Sequence, residues 1–97
     1  PECYIQRAIN FRKKDPVPYM LYGYYLRKMG KLNQAVQYYE KALNLSPNSS
    51  KIEYSYSLLL IELKHYDKAL SHAVNAYKIG KPPQELKNKL KKLGVWK

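Results

Sequence analysis

Few side chains in this sequence could do covalent chemistry. Cys3 stands alone, with no base placed beside it to take its proton. It reads as a small apolar packing residue rather than a nucleophile. His65 and His72 are seven residues apart, two helical turns if one helix carried both. Asp67 and a turn read over Lys64 to Tyr66 interrupt that helix. No third ligand stands nearby, so both read as surface or packing histidines rather than a metal site. Only seven carboxylates are present. Glu53 and Glu62 share one helical stretch but lie nine apart, and no apolar pocket is evident that would shift the pKa of either. No glycine-rich phosphate loop and no nucleophile elbow appear. The chain is not expected to be an enzyme, and no cofactor is implied.

What remains is the chemistry of binding. Lys and Arg number 18 against seven acids, a net charge of +11. From Lys78 onward there are seven Lys and one acid, Glu85. One account is a solvated face that keeps a small domain dispersed. The other is attraction of an acidic protein segment, nucleic acid or an anionic membrane surface. Eleven Tyr, with one Phe and one Trp, supply large contact areas with polar tips, suited to half-buried helix faces and to binding grooves.

Hydrophobic content of 45% excludes a disordered chain. No apolar run is longer than that from Leu58 to Ile61, so no stretch reaches the length of a transmembrane segment. A chain of 97 residues makes one domain with a modest margin of buried surface. No signal peptide is visible, and an opening on Pro1 rather than Met reads as a fragment or a processed chain.

The elements that would carry the binding residues are organised around Pro16 to Pro47. Two helix-period runs sit back to back there, split by Met29-Gly30-Lys31. Tyr19, Tyr22, Gly23 and Leu26 share one face of the first run. Ala35, Tyr39 and Ala42 share one face of the second. Gly23, Ala35 and Ala42 remove the side chains that would hold two paired helices apart, and the aromatic residues with Leu26 and Leu43 fill the space around the contact. Gly30 supplies backbone freedom at the end of the first helix, and Pro47 helps to stop the second.

The pattern repeats. Ala8, Ala42 and Ala76 are spaced by 34 residues, and the same step links Ile9, Leu43 and Tyr77, then Ala35 and Ala69, Tyr22 and Tyr56, and Leu26 and Leu60. The period divides the chain. Residues 1–15 are the second helix of a truncated repeat, residues 16–49 and 50–83 are two full repeats, and residues 84–97 are a last helix with Leu86, Leu90 and Leu93 on one face. Within the repeats, helices are expected over Val17 to Met29, Leu32 to Leu45, Lys51 to Leu63 and Tyr66 to Ile79, with Ser49 or Ser50 capping the third.

The residues at these offsets and the period resemble the tetratricopeptide repeat (TPR) family. The resemblance covers essentially the whole chain. It implies an all-α fold, a right-handed superhelical array of antiparallel helix hairpins closed by a C-terminal capping helix. The second repeat departs from the pattern: Ser57 stands where the first has Gly23, Glu53 replaces the leading aromatic, and Ala73 replaces the second-helix aromatic. Terminal repeats are often atypical in this way.

In TPR proteins the first helix of each repeat lines a concave face, and the resemblance implies a protein-interaction module or scaffold. The corresponding face here holds Met20, Tyr24 and Arg27, then Lys51, Tyr54 and Leu58, with Lys92 from the last helix. Met and aromatic side chains suit an apolar anchor from a peptide, and the basic residues suit acidic flanks. The bland alternative is that these residues pack between neighbouring hairpins, and Leu58 and Ile61 lean that way. A second function, of another class, is a basic accessory domain that binds nucleic acid or another polyanion. Chaperone-tail TPR proteins carry a Lys/Asn/Arg clamp on this face. Met20, Tyr24, Ser55 and Leu58 stand where it would be sought, so that specialisation is not expected. The N-terminal helix would expose Tyr4, Ile5, Ala8 and Ile9, a stripe to be covered by upstream repeats or by self-association with another copy.

If Ala42 lies in the tight contact of a hairpin, Ala42→Leu overpacks it and costs roughly 1–3 kcal/mol. Thermal melts check this; equal midpoints for variant and parent would remove Ala42 from that contact.

Overall fold

A computed structural model describes residues 15–96. The helix expected over Glu2 to about Lys13, with Cys3 and the Tyr4, Ile5, Ala8 and Ile9 stripe, lies outside the described residues. The described residues are all-α, without a strand among them. They form α1 (Pro16–Lys28), α2 (Leu32–Leu45), α3 (Ser50–Glu62), α4 (Tyr66–Ile79) and α5 (Glu85–Lys92). α2 and α4 run as the sequence predicts. α1 and α3 begin one residue early for reasons of capping. Asp15 Oδ1 accepts the Val17 N–H at 3.0 Å, with Pro16 pre-set at the first helical position. Ser49 Oγ takes the Ile52 N–H at a long 3.4 Å. The chain divides into two compact units, residues 1–48 and 49–97: α1 packs on α2 in the first, while α3, α4 and α5 pack together in the second.

Each hairpin turns by the same backbone device. After α1, Gly30 N–H donates to Arg27 O and Lys31 N–H to Leu26 O, with Gly30 at φ 82°. After α3, Lys64 N–H donates to Ile61 O and His65 N–H to Leu60 O, with Lys64 at φ 64°. This is the Schellman closure, which satisfies orphan carbonyls at a helix end and needs one left-handed residue. Glycine takes that conformation freely; lysine takes it at a cost of about 1–2 kcal/mol. The second turn is therefore held against a local preference by the packing on either side of it.

In the first unit, Gly23 is the point of closest approach. A Cβ built there would stand 3.1 Å from Cδ2 and Cε2 of Tyr39 and 3.4 Å from the Ala35 carbonyl oxygen. Tyr39, Ala35 and Ala42 are fully buried. In the second unit Ser57 occupies the place of Gly23, and its hydroxyl donates to the Ala69 carbonyl at 2.6 Å. The small residue is kept, and its polar atom is satisfied across the helix pair rather than merely tolerated. Ala69, Ala73 and Ala76 of α4 and Leu86 and Leu90 of α5 complete this core, each at 0% exposure.

The departure at Glu53 has a physical account. Tyr19 and Tyr38 stack across the first hairpin with ring centres 6.5 Å apart, and Tyr22 meets Tyr38 edge-on at 4.4 Å. One 34-residue step later stand Glu53, His72 and Tyr56. His72 Nδ1 lies 2.9 Å from Glu53 Oε1, and the His72 ring lies 4.7 Å from Tyr56. Glu53 is only 4% exposed. The aromatic pair of one hairpin has become a carboxylate–imidazole pair in the other, and both members changed together.

His72→Tyr alone should strand that buried carboxylate and cost about 1–3 kcal/mol. Adding Glu53→Tyr should recover most of the loss. Denaturant unfolding of the three chains decides it: a double variant no more stable than the single one would show that the two pairs are not equivalent.

Candidate functional site

The residues singled out for binding fall in different environments. Met20 is buried at 9% exposure. This corrects its expected place as a surface anchor: its side chain is packed away from solvent, whereas Tyr24 and Arg27 of α1 reach the surface. Tyr24 is 47% exposed, with Lys28 Nζ 5.3 Å from its ring centre, and Arg27 is half-buried. On α3, Lys51 is exposed while Tyr54 and Leu58 are half-buried. Lys92 is exposed in the last turn of α5.

Two of these residues come together in one cavity. Lys51 and Tyr54 line a cleft of about 350 Å³ with Ser50, Ser55, Lys81, Pro82 and Pro83. Leu58, one turn further along α3, and Lys92 are not among its walls. The side of the cleft supplied by Lys81, Pro82 and Pro83 was not legible from the helical period, because it belongs to the segment between α4 and α5. The available signal was the string Gly80-Lys81-Pro82-Pro83 itself.

The position of that segment follows from three local causes. Gly80 passes so close to the start of α3 that a Cβ there would meet Ser50 Oγ at 2.6 Å and Ser50 Cβ at 3.0 Å. Pro82 and Pro83 each fix one backbone dihedral and offer flat apolar rings. Tyr77 Oη donates to the Pro83 carbonyl and accepts the Lys87 N–H at 3.2 Å. That last bond serves a donor of the first turn of α5, where Gln84 makes no side-chain cap. The Tyr77 ring meets Trp96 edge-on at 5.7 Å, and Lys87 Nζ lies 5.4 Å from the Trp96 ring centre.

The electrostatics of the cleft are one-sided. Lys51 and Lys81 stand on its walls, and no carboxylate does. Neither lysine has an ion-pair partner among the described residues. Glu53, on the same helix, is turned into the core against His72. Among the described residues no three His, Cys, Asp or Glu side chains come together as metal ligands would. No helix among them is long and apolar enough to cross a membrane.

Two helical hairpins built on a 34-residue step, with small residues at the helix contact, define a protein of the tetratricopeptide-repeat class. Residues 2–76 match the family model described as anaphase-promoting complex, cyclosome, subunit 3, and the chain belongs to that family. No curated protein matches it. Among solved structures it is similar to the crystal structure of YrrB, titled a TPR protein with an unusual peptide-binding site. The two share 24% identity at a TM-score of 0.84, over 94% of this chain and 49% of YrrB. The chain thus spans about half the length of YrrB, and the likeness is one of fold.

Gly80→Ala should push Ser50 aside and lower stability by roughly 1–3 kcal/mol, as overpacking does. Ser50→Gly placed in the same chain removes both clashing atoms and should restore part of the loss. Thermal melts of the single and double variants measure it; additive losses would mean that the two backbones do not meet as described.

Proposed function

We propose that this chain is a non-enzymatic protein-interaction module that holds a segment of a partner protein on the first helices of its repeats. The segment carries one or two apolar anchors and acidic flanks. On α3, Lys51 and Tyr54 serve this role with Leu58 one turn beyond. On α1, Tyr24 and Arg27 serve it, and Lys92 adds to the long-range attraction. The observation that carries the reading is the cleft on α3, where apolar walls meet two cations, without an ion-pair partner among the described residues, and no acid. Membership of a TPR-type family supports it, since such hairpins commonly act as interaction modules.

A second reading, binding of nucleic acid or another polyanion, is favoured by the exposed Lys89, Lys91 and Lys92 at the end of α5. Salt separates the two. Counterion release makes polyanion affinity fall steeply as salt rises, with little preference among polyanions. Anchors in a desolvated groove dominate affinity instead, while rim charges act mainly on association rate and salt response.

Tyr24→Ala combined with Tyr54→Ala should abolish capture of the partner while the helical signal is kept. Lys92→Glu should only weaken capture, and less so at high salt. Pull-down with a captured partner, followed by titration of these variants, tests the reading. Normal binding by the double tyrosine variant would move the interaction to another face of the chain.

A further inference from the structure

We infer that the α3 cleft is a receptor for a single aromatic side chain presented by an extended acidic peptide. Lys51 and Lys81 hold acidic residues on either side of it. The inference rests on the interaction-module reading and assigns it a pocket, a second wall and a preferred anchor.

Size sets the first limit. A cleft of about 350 Å³ is at the small end of ligand pockets. It admits one large side chain, not the face of a helix, so the peptide enters extended. The walls set the second. The Tyr54 ring and the pyrrolidine rings of Pro82 and Pro83 are flat apolar surfaces. A flat ring fills the gap between flat walls better than a branched aliphatic does, and aromatic pairs gain beyond the area they bury. Charge sets the third. Lys51 lies on the helix side and Lys81 on the loop side, with no carboxylate on either wall. An acidic residue on each flank of the anchor therefore meets a cation, and a basic flank is repelled.

The cleft is also built in advance. Gly80 seats the loop against Ser50, and Tyr77 ties the Pro83 carbonyl to the first turn of α5. A wall already fixed loses little entropy when the ligand arrives. A polynucleotide would use the lysines as a row of phosphate contacts, but the cleft presents only two, one from α3 and one from the loop.

The test is fluorescence anisotropy on the whole chain with labelled synthetic peptides. They share Asp and Glu flanks and differ at the centre, which is Phe, Leu or Ala. A Phe peptide with Asn and Gln flanks and a short oligothymidine complete the set. The Phe-centred acidic peptide should bind about tenfold tighter than the Ala-centred one. Tyr54→Ala should erase that difference while the melting curve shows the chain still folded. Lys81→Glu, on the exposed loop, should weaken the acidic peptide and leave the Asn/Gln peptide unchanged, an effect that shrinks as salt rises. If acidic peptides bind equally whatever their centre, or if the Phe preference survives Tyr54→Ala, the assignment of the cleft falls and the interaction-module reading stands. If no acidic peptide binds, both fall. If oligothymidine binds more tightly than the Phe peptide and loses that binding in Tyr54→Ala, the occupant is a nucleotide and the inference is overturned.

Discussion

Two helices joined by a short turn can bury a common face only if their backbones come close, and everything else in each unit follows from that approach. In the first unit the space is so tight that the Tyr39 ring occupies the place a side chain on Gly23 would need. In the second unit the same position carries Ser57, one hydroxyl larger than alanine. The hydroxyl is accommodated because it reaches the Ala69 carbonyl at 2.6 Å. A buried hydroxyl without a partner would cost about 1–3 kcal/mol, whereas one bonded across the contact adds a directional tie. The second hairpin thus keeps close approach and gains specificity of register. Its second-helix face is also smaller, Ala73 standing where the first unit has Tyr39, and the core of this unit is filled in addition by Leu59 of α3 and by Leu86 and Leu90 of α5.

The exchange of Tyr19 and Tyr38 for Glu53 and His72 shows how such a contact changes its chemistry without losing its place. Stacked and edge-on tyrosines contribute about 0.5–1.5 kcal/mol beyond their buried area. A carboxylate at 4% exposure has the opposite character. It is expensive to bury alone and acceptable only with a donor aimed at it. His72, itself held against the Tyr56 ring, is that donor. The two departures from the repeat pattern thus face each other in one contact, the imidazole meeting the carboxylate at 2.9 Å. The carboxylate engaged in this pair is also withheld from the surface, which leaves the neighbouring cleft with cations only.

The fold was legible because it is periodic. Ala35, Ala42, Ala69 and Ala76 sit where a 34-residue step predicts, and each is fully buried. The ends of α2 and α4 were legible from turn chemistry on either side of them. The cleft was legible only along α3. Period places Lys51 and Tyr54 on one face, and they do line one cavity. Period also puts Met20 in the same column as Tyr54, yet Met20 is buried and Tyr54 is not. A column in a repeat fixes direction from the helix axis, not what stands opposite. The far wall of the cleft could not be read at all from the period. It depends on where Gly80 lets the chain run and on a hydrogen bond from Tyr77 to a residue six positions on, both tertiary facts.

That loop is also where the chain resolves the competition between its two uses of positive charge. Lysines around α5 attract any polyanion in proportion to their number and lose that attraction in salt. Lys81 differs in place: it follows a glycine that approaches Ser50 of α3, precedes two prolines with fixed dihedrals, and lines the cleft. A cation on a fixed loop discriminates by position as well as by sign. Under the inference above, Lys81 favours an acid at the distance from an anchor that the Tyr54 and proline walls define. Under the proposed function the excess charge draws acidic partners in, and Lys51 and Lys81 at the cleft choose among them.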